Sequence, residues 1–224
     1  MTRNTIKQNA PLQGLRYGRI RVFVSSPGDV EKEVDCLRNV IEEINRVVAN
    51  KKQLNLELVH WKTHIIPDMG RAQQIINQQI GLFDIFIGIM WKKFGTQTGK
   101  ASSGTEEEFN LAYELWKKTG RPRIMFYFNQ APYTLRTIND VEQIKKVIEF
   151  RKRIEKLGLI WEYEGLDNFE RTIRGHLISI VQDWETSFLS GKPGSLEVIL
   201  RQVHPNSITV GLNIFGEIIL RRGL

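Results

Sequence analysis

Arg19-Ile20-Arg21-Val22-Phe23-Val24-Ser25-Ser26-Pro27-Gly28-Asp29-Val30 is the stretch that decides the fold. Ile20, Val22, Phe23 and Val24 form a short β-branched and aromatic run, the composition of a strand. Ser26-Pro27-Gly28 then punctuates it as a turn. Val30, Val34, Leu37, Ile41, Ile44 and Val48 follow at spacings of 4, 3, 4, 3 and 4. That period predicts an amphipathic helix over 30–49. A strand that runs through one turn into a helix is the opening of an α/β unit.

The pattern repeats along the chain. Residues 54–61 alternate apolar and polar and read as a second strand. His64 to Gly70 is a loop, and Ala72, Ile75, Ile76 and Ile80 give a helix over 71–80. Residues 83–91 are almost continuously apolar, as suits a central parallel strand covered on both faces. Thr105 opens a helix with Glu106, Glu107 and Glu108 in its first turn, where the helix dipole favours acids, and Gly120 closes it. Residues 123–128 are a fourth strand. Asn139 is the expected cap of a helix carrying Val141, Ile144, Val147, Ile148, Ile154 and Leu157. Residues 159–163 are a fifth strand, and 166–189 a last helix with Phe169, Ile173, Leu177, Ile180 and Trp184 on one face.

Five strands alternating with helices predict a doubly wound, flavodoxin-like α/β domain with a five-stranded parallel sheet. Its expected order is 2-1-3-4-5. The domain is placed at 19–190, after a basic, flexible N-terminal tail at 1–18. Gly191-Lys192-Pro193-Gly194-Ser195 begins a linker and a strand-like extension over 191–224, too short to fold alone.

No apolar run approaches the roughly 20 residues a membrane span needs, and no secretory leader is evident. The single cysteine, Cys36, excludes an intrachain disulfide. A cytoplasmic protein is expected. The net charge is +7. Arg3, Lys7, Arg16 and Arg19 supply much of it within the first 20 residues, so the charge argues against a dedicated nucleic-acid surface. His60 and His64 fall on a strand and a loop with no third ligand, so no metal site is expected.

In open doubly wound sheets, ligands bind beyond the carboxyl ends of the strands where strand order reverses. Here that point lies between the first and third strands. Ser25, Ser26, Gly28 and Asp29 meet there with the segment from Trp91 through Phe94 and Gly95 to Gly104. Two readings of the 25–29 loop stand side by side. Its amides and hydroxyls hold a phosphate, or Ser26 or Asp29 merely caps the helix. It matches neither GxGxxG nor a Walker A loop. Glu108 sits one turn into its helix, facing the strand ends. Glu106 projects elsewhere, and Glu107 reads as solvated.

Val22-Phe23-Val24-Ser25-Ser26-Pro27-Gly28-Asp29-Val30, followed by Glu33, resembles the opening of the TIR-like (Toll/interleukin-receptor-like) domains at the N-termini of NACHT- and STAND-type NTPases. Phe86-Ile87-Gly88-Ile89-Met90-Trp91-Lys92-Lys93-Phe94-Gly95 is similar to their third strand. Thr105-Glu106-Glu107-Glu108-Phe109 is similar to their Thr-Glu-x-Glu-aromatic helix start. Gly104-Thr105-x-x-Glu108 also resembles the glutamate segment of nucleoside deoxyribosyltransferases. The Ser-x-x-Trp-Cys-x-x-Glu pattern of many TIR enzymes is absent.

The resemblance implies cleavage of the nicotinamide–ribose bond of NAD⁺ in bacterial anti-phage immunity, activated by self-association or by a STAND-type sensor partner. NAD⁺ is then the substrate and no cofactor is needed. Glu108 is the implied catalytic carboxylate and Glu106 the second choice. Trp91 or Phe94 would stack on a base, and Ser25 and Ser26 would bind phosphate or ribose. A non-catalytic TIR-like oligomerisation module is the alternative.

Overall fold

The computed structural model describes residues 18–60, 83–98, 101–184, 208–212 and 218–222. Strand β1, Gly18–Ser25, leads through a short 3-10 turn into helix α1, Glu31–Ile44. A π-helical turn and a second 3-10 turn extend it to Lys52, and Gln53 reverses the chain with φ 55°. Strand β2 is Leu54–Val59, β3 Ile85–Met90 and β4 Arg123–Asn129. Helix α2, Gly104–Thr119, joins β3 to β4. Helix α3, Ile138–Glu155, leads to β5, Trp161–Tyr163, and helix α4 is Leu166–Asp183. The helix expected over 71–80 lies outside the described residues. So do His64 and the 191–195 linker.

The sheet order is β2-β1-β3-β4-β5, and every neighbouring pair is parallel. This is the expected doubly wound fold. Strands β6, Ile208–Leu212, and β7, Ile218–Arg222, form a separate antiparallel pair.

Alternation along each strand sends side chains to two different cores. Val22 and Val24 with Ile85, Ile87 and Ile89 meet α1 and α4 in an aliphatic layer. Phe23, Phe86, Phe126 and Phe128 meet Phe109 of α2 and Phe150 of α3 in an aromatic layer. Gly88 belongs to the aromatic face. A Cβ there would lie 2.2 Å from the Phe126 ring, so only glycine admits that ring.

Helix ends follow their local chemistry. Ser103 caps α2, its Oγ accepting from the Glu106 amide at 3.1 Å. Gly120 terminates α2 in the left-handed region, φ 73°. The cap of α3 is Thr137, not Asn139. Thr137 Oγ accepts from the Asp140 amide at 3.1 Å, and Asp140 accepts from the Thr137 amide at 2.9 Å. That reciprocal box satisfies two amides at once and outcompetes a single cap two residues later. Only Val147, Phe150 and Ile154 of α3 are buried, while Val141 and Ile148 are about half exposed. Asn45 reaches β2, donating to the Leu56 carbonyl and accepting from its amide, both at 2.8 Å. This satisfies backbone polar groups of an edge strand. The Cys36 thiol lies in the aliphatic core, pushed up to about 11 by burial and then by Glu170.

Candidate functional site

The site is built where β1 ends. Ser25 is the last residue of β1 and pairs in register with Gly88 of β3. It shares a face with Phe23, so its hydroxyl points toward α2. There the Ser25 Oγ donates a hydrogen bond to Glu108 Oε2. Ser25 is fully buried and Glu108 is 7% exposed. The strand end and the helix start predicted to meet at the switch point are therefore in direct contact.

The start of α2 holds three consecutive buried acids. Their contacts differ. Glu106 pairs with Arg153 of α3 at 2.8 Å and accepts from the Ser102 amide at 2.8 Å. Glu107 accepts from the Thr98 hydroxyl at 2.6 Å. It is buried, not solvated as the sequence suggested, because Thr98 lies against it at the helix start. Glu108 alone of the three reaches the strand end. Its partner separates it from Glu106, as their predicted divergence required.

Asp29 does not cap α1, and neither does Ser26. Pro27 and Val30 occupy the cap positions, with no side-chain cap bond. Asp29 Oδ2 instead accepts from the backbone amides of Lys92 and Lys93, at 3.1 and 3.0 Å. It staples the β1–α1 loop to the segment after β3, the two loops flanking the switch point. Burial raises the Asp29 carboxyl above its ordinary value, and the two amide donors oppose that rise. Ser26 is partly exposed and Gly28 is exposed, both beside this staple.

Trp91 packs against the aliphatic side of the sheet, whereas Ser25 and Glu108 lie on the aromatic side. Its indole N–H donates to the Ala131 carbonyl at 2.9 Å, and Lys92 lies over its ring at 4.0 Å. Phe94 is 2% exposed and packs edge-on against Phe150, so its ring has no free face for a base. The Phe94 and Gly95 amides are both tied to Gln143 Oε1, at 2.8 and 3.0 Å. Gly95 turns the chain there with φ 102°. Both residues shape the loop; Trp91 keeps partial exposure.

A second polar cluster sits at the same sheet end. Glu33 of α1 is buried, and Oε1 accepts from Asn129 Nδ2 at 3.2 Å and the Tyr163 hydroxyl at 3.1 Å. Burial, then the Glu33 charge, pushes the Tyr163 hydroxyl up. Glu33 belonged to a recognisable motif, but its partners lie 96 and 130 residues away and carry no local signal. His60 is buried just beyond β2.

The model of a domain of unknown function, DUF4062, matches residues 21–178, and the chain belongs to that family. No curated protein sequence matches the chain.

Proposed function

We propose that this DUF4062 domain is a TIR-like N-glycosidase that cleaves the nicotinamide–ribose bond of NAD⁺ in bacterial anti-phage defence. Self-association or a STAND-type sensor partner switches it on in the cytoplasm. The observation that supports this most is the buried Glu108 carboxylate, held by Ser25 at the carboxyl end of β1 where strand order reverses.

The chemistry asks little of the protein. The ribose C1′–N bond breaks, and its electron pair leaves with nicotinamide, converting a pyridinium into a neutral pyridine. No general acid is required for that departure. The ribosyl cation left behind is stabilised by one adjacent carboxylate, which in a water-poor site acts far more strongly than in bulk water. Water then adds to C1′ and releases a proton, giving ADP-ribose. Glu108 is the proposed carboxylate. Ser26, the exposed Gly28 backbone and Trp91 are the proposed contacts for ribose, phosphate and base. Among the described residues no helix is long and apolar enough to cross a membrane.

Purified protein, alone and fused to a forced-oligomerisation partner, is incubated with NAD⁺ and with NADP⁺, and nicotinamide and ADP-ribose are quantified. Nicotinamide release by the assembled form, lost in Glu108→Ala, is expected. No turnover in any assembled state defeats the reading. One feature favours a non-catalytic assembly module as the second reading: Leu135, Ile138 and Val141 are exposed together, Ile138 by 81%. Such a module oligomerises without releasing nicotinamide. Base exchange on deoxynucleosides would instead mark a deoxyribosyltransferase.

A further inference from the structure

We infer that Ser25 is a positioning residue, whose hydroxyl fixes the orientation of Glu108 and does not itself contact substrate. The inference rests on the proposed role of Glu108. Three features carry it. Ser25 has no exposed surface, so a dinucleotide cannot reach its hydroxyl in this structure. A serine hydroxyl has one proton, and that proton is given to Glu108. Ser25 is also the terminal residue of β1 and pairs in register with Gly88 of β3, so the donor is held on the sheet. Gly88, opposite Ser25, presents no side chain that competes for the space.

The surroundings explain why Glu108 needs a holder. A glutamate has three rotatable bonds, and the flanking acids are drawn to Arg153 and to Thr98. Those two contacts fix the start of α2 but leave the direction of the third carboxylate to its own partners. The Ser25 hydrogen bond aims it along the end of β1, toward the switch point. Ser26, the next residue, is partly exposed and is the hydroxyl of this pair open to a ligand.

The test compares wild type, Ser25→Ala, Ser25→Cys and Ser26→Ala in the assembled protein. Ser25→Cys keeps a side chain in the space, slightly larger than serine, while weakening the donor, and serves where Ser25→Ala does not fold. Removing a hydrogen bond to a buried charged group predicts a loss of about 10- to 100-fold in kcat for both Ser25 variants. KM for NAD⁺ and the calorimetric affinity for ADP-ribose stay within about twofold, because uniform binding is untouched. Ser26→Ala shows the reverse split, with weaker binding of both. Crystal structures of the Ser25 variants show the Glu108 side chain in a new rotamer.

A raised KM or weakened ADP-ribose binding with kcat intact makes Ser25 a substrate contact and overturns the inference. So does a Glu108 side chain that stays in place without the hydroxyl. Absence of nicotinamide release from every wild-type assembly defeats the NAD⁺ reading instead. The variant crystal structures then still decide whether Ser25 orients Glu108.

Discussion

At the carboxyl end of the sheet, Glu33, Glu106, Glu107 and Glu108 are buried and Asp29 partly so, with Ser25, His60, Ser103 and Thr105 buried among them. At the amino end, Tyr113, Trp116, Ile124, Leu157 and Leu159 line an apolar groove of about 310 Å³. The charged group pinned there, Asp84, binds backbone: its carboxylate accepts from the Arg21 amide at 2.9 Å, and its carbonyl accepts from the Arg123 amide at 2.9 Å. Among the described residues, every buried serine, threonine, histidine and glutamate side chain lies at the carboxyl end. Burying a carboxylate costs several kcal/mol unless donors meet it. A core does not need such groups, since the two hydrophobic layers already hold the sheet. Their concentration where strand order reverses is why the proposed chemistry is assigned to the carboxyl end.

That contrast is breakable, most sharply by activity. Glu108→Ala is expected to lower nicotinamide release by about 100- to 1000-fold, the cost of losing one preorganised electrostatic group. Trp116→Ala, at the opposite end, leaves kcat/KM unchanged in the same assay. Equal losses from both would erase the distinction between the ends.

The next effect is on stability. Gly88→Ala drives a methyl into the Phe126 ring beneath the Ser25–Glu108 pair. An overpacking loss of about 2–3 kcal/mol is expected, read from the denaturant midpoint at unchanged slope. An unshifted midpoint would show that the aromatic layer yields more readily than its packing implies.

Asp29 gives a smaller, chemically resolved effect. Asp29→Ala leaves the Lys92 and Lys93 amides without their acceptor and is expected to cost about 1–3 kcal/mol. Asp29→Asn keeps one acceptor oxygen and costs less. The two also differ in pH dependence. Because burial raises the folded-state value above 3.8, the native protein binds that proton more tightly than the unfolded chain. Stability therefore declines as pH rises from the ordinary carboxylate range through the raised folded value. In Asp29→Asn that contribution is absent, and urea titrations across the window flatten.

The least effect belongs to His176, away from both ends. Its Nδ1 lies 2.7 Å from the Tyr127 hydroxyl, and burial lowers its ionisation from the ordinary 6.5. The unfolded chain binds the proton more readily, so stability falls as pH drops below 6.5 toward the lowered folded value. Solvent screens most of the ring, so only a slight drop in Tm is expected, removed by His176→Gln. A large drop would place costly polar burial outside the carboxyl end.

Much of this architecture was legible because it is written in local spacing. The 4-3-4-3-4 apolar period of α1, the acids opening α2 and Gly120 ending it each describe a few neighbouring residues. Local competition was harder to read. Thr137 and Asn139 both offer a cap, and only the reciprocal bonds with Asp140 choose between them. Asp29 looked like a cap because aspartate beside a helix start usually is one. Its carboxylate instead found two amides from a loop more than sixty residues on. Phe94 is a stacking platform only by the TIR-like resemblance, which carries no information on its burial. Phe150, on another helix, buries it.

The sequence by itself determined the order and type of the elements, the parallel sheet they imply, and the strand end and helix start that carry Ser25 and Glu108. Those properties depend on hydrophobic period and turn chemistry over a handful of residues. Only the tertiary structure decided which donor holds which carboxylate. Ser25 meets Glu108 across 83 residues, Asp29 meets Lys92 across 63 and Glu33 meets Tyr163 across 130. Such pairings follow from strand register and helix packing, and no local pattern encodes either. For that reason Ser25 reads as a ligand contact in the sequence and as the partner of Glu108 in the fold.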